Sequence, residues 1–172
     1  DGTNEETVQD VLDGEKIREI RRGIDANGYA APGEPPDPAY RLEEVRLREL
    51  RVHDATTTGS GTEAIQIRRY DAATVLRYAY AFRELPPIEV LRVDGESLVV
   101  DGFHRRRAAE WLGLETLRAW VKDGTYEEAL DRAVMANLRH GRPFRGDDLH
   151  AVILRLRRLH PEMTGRKVAT MV

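Results

Sequence analysis

A chain of 172 residues has room for one domain of ordinary size with short appendages, and a core of that size holds without metal or disulfide staples. Cysteine is absent, which excludes a disulfide framework and a thiol nucleophile and leaves only His and carboxylates for any zinc site. No apolar run approaches the roughly 18 to 20 residues that cross a bilayer, so a soluble, cytoplasmic protein without a membrane partner is expected, and no metal site is assigned. The net charge of −3 is unevenly spread: residues 1–100 hold 13 basic against 20 acidic side chains, a balance of −7, and residues 101–172 hold 14 against 10, a balance of +4.

In chain order, residues 4–22 set Val8, Val11, Leu12, Ile17 and Ile20 at spacings near three and four, the pattern of an amphipathic helix in need of a partner surface. Residues 27–39, with four prolines and two glycines, read as a linker, with a boundary near residue 40. Val45 to Val52 reads as a strand of period two, and residues 53–64 as a loop rich in Thr, Ser and Gly. Asp71 reads as the N-cap of a helix through about Phe82 that buries Val75, Leu76, Ala79 and Phe82. After Leu85-Pro86-Pro87, the runs 88–93 and 97–100 flank Asp94-Gly95 as a hairpin.

Residues 103–112 then read as a helix stopped by Gly113, 116–121 as a strand and 125–139 as a helix, giving the order β, α, β, β, α, β, α. Beyond Pro143 the pattern is helix only. Asp147 or Asp148 opens a segment that buries Leu149, Val152, Ile153, Leu156 and Leu159 and closes at His160-Pro161. Thr164 starts a last helix with Val168, Ala169 and Met171 on its buried side. Four segments follow: 1–40, 41–122, 123–160 and 161–172.

The turn from strand to helix at Asp101-Gly102-Phe103-His104-Arg105-Arg106-Arg107 is the feature most suggestive of chemistry. A glycine there lets backbone N–H groups approach an anion at a helix start, where they lack acceptors of their own. Cations in the first turns of a helix oppose its dipole, so this cluster makes most sense beneath a polyanion. A plain structural reading uses the same residues, with Asp101 capping the helix and Arg106 and Arg107 on a solvated face; pattern alone does not separate the two. Arg155, Arg157, Arg158, Arg166 and Lys167 make the last helices basic, which suits either phosphate contacts or an ordinary wet surface.

The run from Leu85 to Gly113 resembles the core of the ParB/sulfiredoxin superfamily, and the resemblance extends over roughly residues 42–160. ParB proteins carry Gly-Glu-Arg-Arg-x-Arg-Ala where this chain has Gly102 to Ala108, with Phe103 and His104 in place of the Glu and the first Arg. Asp-Gly-x-His-Arg, as in Asp101 to Arg105, is the form of free-serine kinases and of regulators of the streptomycin-biosynthesis type. The segment Asn137 to Pro143 resembles the regulators' Asn-x-x-His-Gly-x-Pro. Sulfiredoxins have a Cys at the place of Phe103, so their redox chemistry is excluded. In the second ParB phosphate motif Asn137 matches, while Ala136 stands where the metal-binding acid belongs.

The resemblance implies an α+β fold, a small mixed sheet with packed helices, followed by an all-α segment leading into a helix-turn-helix. It further implies a DNA-binding regulator or partition-type protein, homodimeric, that binds a nucleotide, CTP with Mg2+. The expected nucleotide residues are Gly102, Phe103, His104, Arg105, Arg106, Arg107 and Asn137, with Arg68 and Arg69 from a basic loop; weak triphosphatase activity is the enzymatic expectation. Arg166 and Lys167 are the candidates for DNA contact. The alternative is a small-molecule kinase of the free-serine-kinase type using ADP or ATP, with Asp101 as base and Asp71 or Glu63 as a second carboxylate. A relative that has kept the fold and lost its ligand is the third reading.

Overall fold

Helix α1 spans Gly14–Asn27 because Asp13 supplies its cap: the Asp13 carboxylate accepts the Lys16 N–H at 2.8 Å, and the Gly28 N–H closes the last turn on Ile24 O at 2.7 Å. The structure, a computed structural model, describes residues 11–54, 63–67, 70–140, 144 and 146–172. The helix expected over 4–22 is therefore corrected. Residues 11–13 are not helical, and α1 runs past residue 22 to the Gly28 stop. No helix among the described residues is long and apolar enough to cross a membrane.

Five strands follow: β1 (Arg41–Arg46), β2 (Leu50–Arg51), β3 (Ile88–Val93), β4 (Glu96–Asp101) and β5 (Thr116–Asp123), in the sheet order β1-β5-β3-β4-β2. β1 lies antiparallel to β5, Arg41 opposite Val121 and Arg46 opposite Thr116. The single strand expected over Val45–Val52 is instead the end of β1, a 3-10 turn at Leu47–Glu49 and the short β2. The sequence holds the reason: apolar residues fall at 45, 47, 50 and 52, so the alternation slips by one between Leu47 and Leu50. The tight turn absorbs that slip and keeps both leucines buried. β3 and β4 form the expected hairpin, with Asp94 at φ +50° and Gly95 at φ +82°, the paired positive φ values that a two-residue turn of this hand requires.

The remaining helices are α2 (Ala72–Tyr80), α3 (Phe103–Trp111), α4 (Tyr126–His140), α5 (Gly146–Leu159) and α6 (Gly165–Met171). α2 stops at Tyr80, and Phe82 is buried from a separate 3-10 turn, Phe82–Glu84. The arrangement is α+β with a small mixed sheet.

By internal packing the described residues divide into two units. The first, residues 11–50, 70–89 and 102–122, packs α2 on α3, and Val75, Ala79, Ala108, Ala109 and Leu112 are buried in it. The Pro-rich stretch is held at several places in this unit. Arg118 donates to Ala30 O at 2.7 Å and lies 4.7 Å over the Tyr29 ring, Ala30 N–H donates to Arg83 O, Lys122 pairs with Asp37 at 3.0 Å, and the Tyr40 hydroxyl donates to the buried Glu89 carboxylate.

The second unit, residues 51–54, 63–67, 90–101 and 123–172 as described, packs α4 on β4 and on α5. Val134, Phe144, Val152, Leu156 and Val168 form its helical core. Two expectations change here. Arg155 is buried on α5, whereas Leu149, Ile153 and Leu159 are only half-buried; and on α6 Val168 is buried but Ala169 is exposed. Thr164 does cap α6, its hydroxyl accepting the Lys167 N–H.

His160, just past α5, bonds Asp131 at 2.5 Å and Glu162 at 3.3 Å, and the Asp131 carboxylate, against some loss of solvation, holds the imidazole pKa above its ordinary 6.5. A group whose folded pKa is raised adds stability that is full below the unfolded value and lost as pH rises through the folded one. Thermal unfolding midpoints of the unaltered chain should therefore fall as pH rises above 6.5, and His160→Gln should flatten that part of the profile.

Candidate functional site

α3 starts directly where β4 ends, Asp101 being the last strand residue and Gly102 the N-cap at φ +102°, ψ 29°. The cap position thus belongs to a residue with no side chain, and not to Asp101. A Cβ at Gly102 would lie 2.5 Å from Ile88 Cγ2 and 2.9 Å from Ile88 Cβ, so both conformation and space demand glycine. The Arg106 N–H closes the first turn on Gly102 O at 2.8 Å.

The side chains that follow are each engaged. His104 Nε2 accepts the Asp71 N–H at 3.1 Å, which assigns the ring proton to Nδ1, and its ring stacks on Tyr70 at 6.0 Å with 15° between planes. Arg105 Nη1 donates to both Pro86 O (2.9 Å) and Pro87 O (2.8 Å). The Glu110 carboxylate bridges two arginines, one oxygen to Arg106 at 2.9 Å and the other to Arg107 at 2.7 Å, and the Arg107 guanidinium lies 5.9 Å from the Tyr70 ring centre. An anion at this turn would meet a group of three guanidinium charges with one carboxylate among them. Beside Arg105 a hollow between Pro86, Pro87, Leu117 and Arg118 has about 20 Å³ of room, enough for a water and far too little for a nucleotide.

The fold brings together Gly102 to Arg107 with Tyr70 and Asp71, all in the first unit. Phe103 is the first, half-buried residue of α3. Asn137 lies on α4 in the second unit and donates to Ala133 O at 2.7 Å. Arg166 and Lys167 are exposed in the first turn of α6. Arg68 and Arg69 lie outside the described residues. Arg155 is corrected as a candidate phosphate contact: it is 4% exposed and donates to Glu63 and to the carbonyls of Ala64 and Ile65. Glu63 is shared between Arg155 and Arg158, whereas the Asp71 carboxylate accepts from the Thr74 hydroxyl. No group of three or more metal-ligating side chains occurs among the described residues. Sequence reasoning missed Glu110 and Tyr70. The first was signalled by its spacing of three and four from Arg107 and Arg106, a helical neighbour relation; the second had no periodic signal.

No family model matches the chain. In three dimensions it is similar to the C-terminally truncated chromosome-partitioning protein ParB of Caulobacter crescentus, complexed to the centromeric parS site, with a TM-score of 0.52 over 75% of this chain and 63% of that one at 19% identity. The chain has the ParB/sulfiredoxin-like fold. In sequence the chain is 36% identical over 130 residues to the transcriptional regulator NovG of Streptomyces niveus, covering 74% of this chain and 40% of that protein. It is 33% identical over 98 residues to the streptomycin biosynthesis operon possible regulatory protein of Streptomyces griseus, covering 57% and 27%. The chain thus spans less than half the length of these curated relatives.

Proposed function

We propose that this chain is the nucleotide-binding part of a DNA-binding transcriptional regulator, with CTP, by resemblance, held at Gly102, Phe103, His104, Arg105, Arg106 and Arg107. The observation that carries the nucleotide reading is the Gly102 turn, a glycine fixed by steric demand at the start of a helix whose first N–H groups face no intrahelical acceptor, with guanidinium groups in the next turn. The likeness to NovG supports the regulator.

In this reading Arg106 and Arg107 are the cations released to the phosphates, and Arg105 holds the Pro86 and Pro87 carbonyls that shape the turn's wall. Mg2+ is carried mainly by the triphosphate itself. With Ala136 in place of the motif's acid, the nucleotide is bound without efficient hydrolysis. α5 and the Thr164-capped α6 open a helix-turn-helix in which Arg166 and Lys167 touch DNA phosphates, and the regulator acts as a homodimer.

One observation favours the kinase alternative: Asp71, a second carboxylate residue, is tied to the helix start by its N–H on His104, while Asp101 ends the strand. Calorimetric titration with CTP, ATP, ADP and GTP, with and without magnesium, separates the readings. The proposal expects selective CTP binding, weakened about ten-fold or more by Arg107→Ala and tightened by Glu110→Gln, which frees two guanidinium groups. Preference for ADP or ATP would support the kinase, and no binding of any nucleotide would overturn the nucleotide reading.

A further inference from the structure

We infer that Tyr70 is the stacking platform for the base of the ligand, so that the site takes a nucleoside phosphate in preference to a bare oligophosphate; this rests on the nucleotide reading above. Tyr70 immediately precedes Asp71 and remains 43% exposed although it is a large aromatic residue. Its ring lies nearly parallel to the His104 imidazole, at 6.0 Å and 15°, and the Arg107 guanidinium stands 5.9 Å from its centre. His104 is held in turn by the Asp71 N–H on Nε2, at 3.1 Å. His104 is therefore held from two sides, by the backbone at Asp71 and by α3, and gives the Tyr70 ring a fixed surface to lie against.

A planar π surface beside a guanidinium matches a ligand that is itself part flat ring and part anion. Oligophosphate alone uses only the cations. Stacking on an aromatic side chain accepts any base, because every base presents a π face. Tyr70 accordingly sets the ligand class, nucleoside phosphate over phosphate, and leaves the choice of base to other groups.

The test compares CTP with inorganic triphosphate on the unaltered chain, Tyr70→Ala and Tyr70→Trp, by calorimetry, with thermal unfolding of each variant alongside. The expected result is tighter binding of CTP than of triphosphate by the unaltered chain, a loss of about ten-fold in CTP affinity in Tyr70→Ala with triphosphate affinity retained, and recovery of the CTP preference in Tyr70→Trp. Equal loss for both ligands, or CTP affinity unchanged in Tyr70→Ala, overturns the inference while the nucleotide reading stands. Binding of neither ligand by the unaltered chain overturns the nucleotide reading and this inference with it.

Discussion

Replacing Arg155 by alanine is expected to lower folding stability by about 3 kcal/mol, near the lower end of the range for removing one partner of a buried ion pair. Arg155 is 4% exposed, and its guanidinium serves Glu63, Ala64 O and Ile65 O at once. Without it, two carbonyls and one carboxylate lose a donor inside the unit, which costs more than the bonds themselves contributed. The loss is held to the lower end because Glu63 is about a third exposed and keeps Arg158 as a partner. Urea unfolding at pH 7 reads the effect. A double-mutant cycle with Glu63→Gln should show coupling, Arg155→Met/Glu63→Gln recovering part of the loss.

The same pair gives a pH signature. Burial alone would raise the Glu63 pKa, but the hydrogen bonds and charges of Arg155 and Arg158 outweigh it and hold the carboxyl below its ordinary 4.5. Its contribution to stability is therefore present above pH 4.5 and lost as pH falls through the lower folded value. Arg155→Met should reduce the slope of stability against pH on the acid side, since only Arg158 then remains to favour the ionised form.

Gly102→Ala is expected to cost on the order of 2 to 4 kcal/mol and to abolish ligand binding at the turn. Two contributions add: the backbone at φ +102° is one that side chains rarely adopt, and the new Cβ would overlap Ile88 at both Cγ2 and Cβ. They can be told apart. Ile88→Ala removes Cγ2 and leaves Cβ, so Gly102→Ala in that background should be less costly than in the unaltered chain but still clearly destabilising. Guanidinium unfolding of the four variants of this cycle checks the prediction. Full relief in the double variant would mean that the backbone carries no strain at this position.

Much of the element order was legible because strong local signals agree with the tertiary structure. The Asp94-Gly95 hairpin, the Gly102 turn and the Thr164 cap are each fixed by residues within a few positions of one another, so pattern reading reaches them. The failures have a common cause in long-range partners. The Val45–Val52 alternation contains a one-residue slip, and the turn that absorbs it is tied down by the Leu47 N–H on Glu115 O, far along the chain. Arg155 looked like one more surface arginine, and what buries it is a segment about ninety positions away in sequence. At the Gly102 turn, sequence displayed the cations but not what holds them: the Pro86 and Pro87 carbonyls for Arg105, and the Asp71 N–H for His104. Arg105→Ala would for that reason disturb the wall of the turn as well as its charge, and Arg107 is the cleaner position at which to test binding.

The central claim, that the Gly102 turn is where a nucleotide sits, is tested most directly by amide hydrogen exchange of the chain with and without CTP. The account predicts new protection concentrated in peptides covering residues 101–107 and 70–71, absent in Arg107→Ala. Protection elsewhere with residues 101–107 unchanged, or no change at saturating CTP, would contradict it.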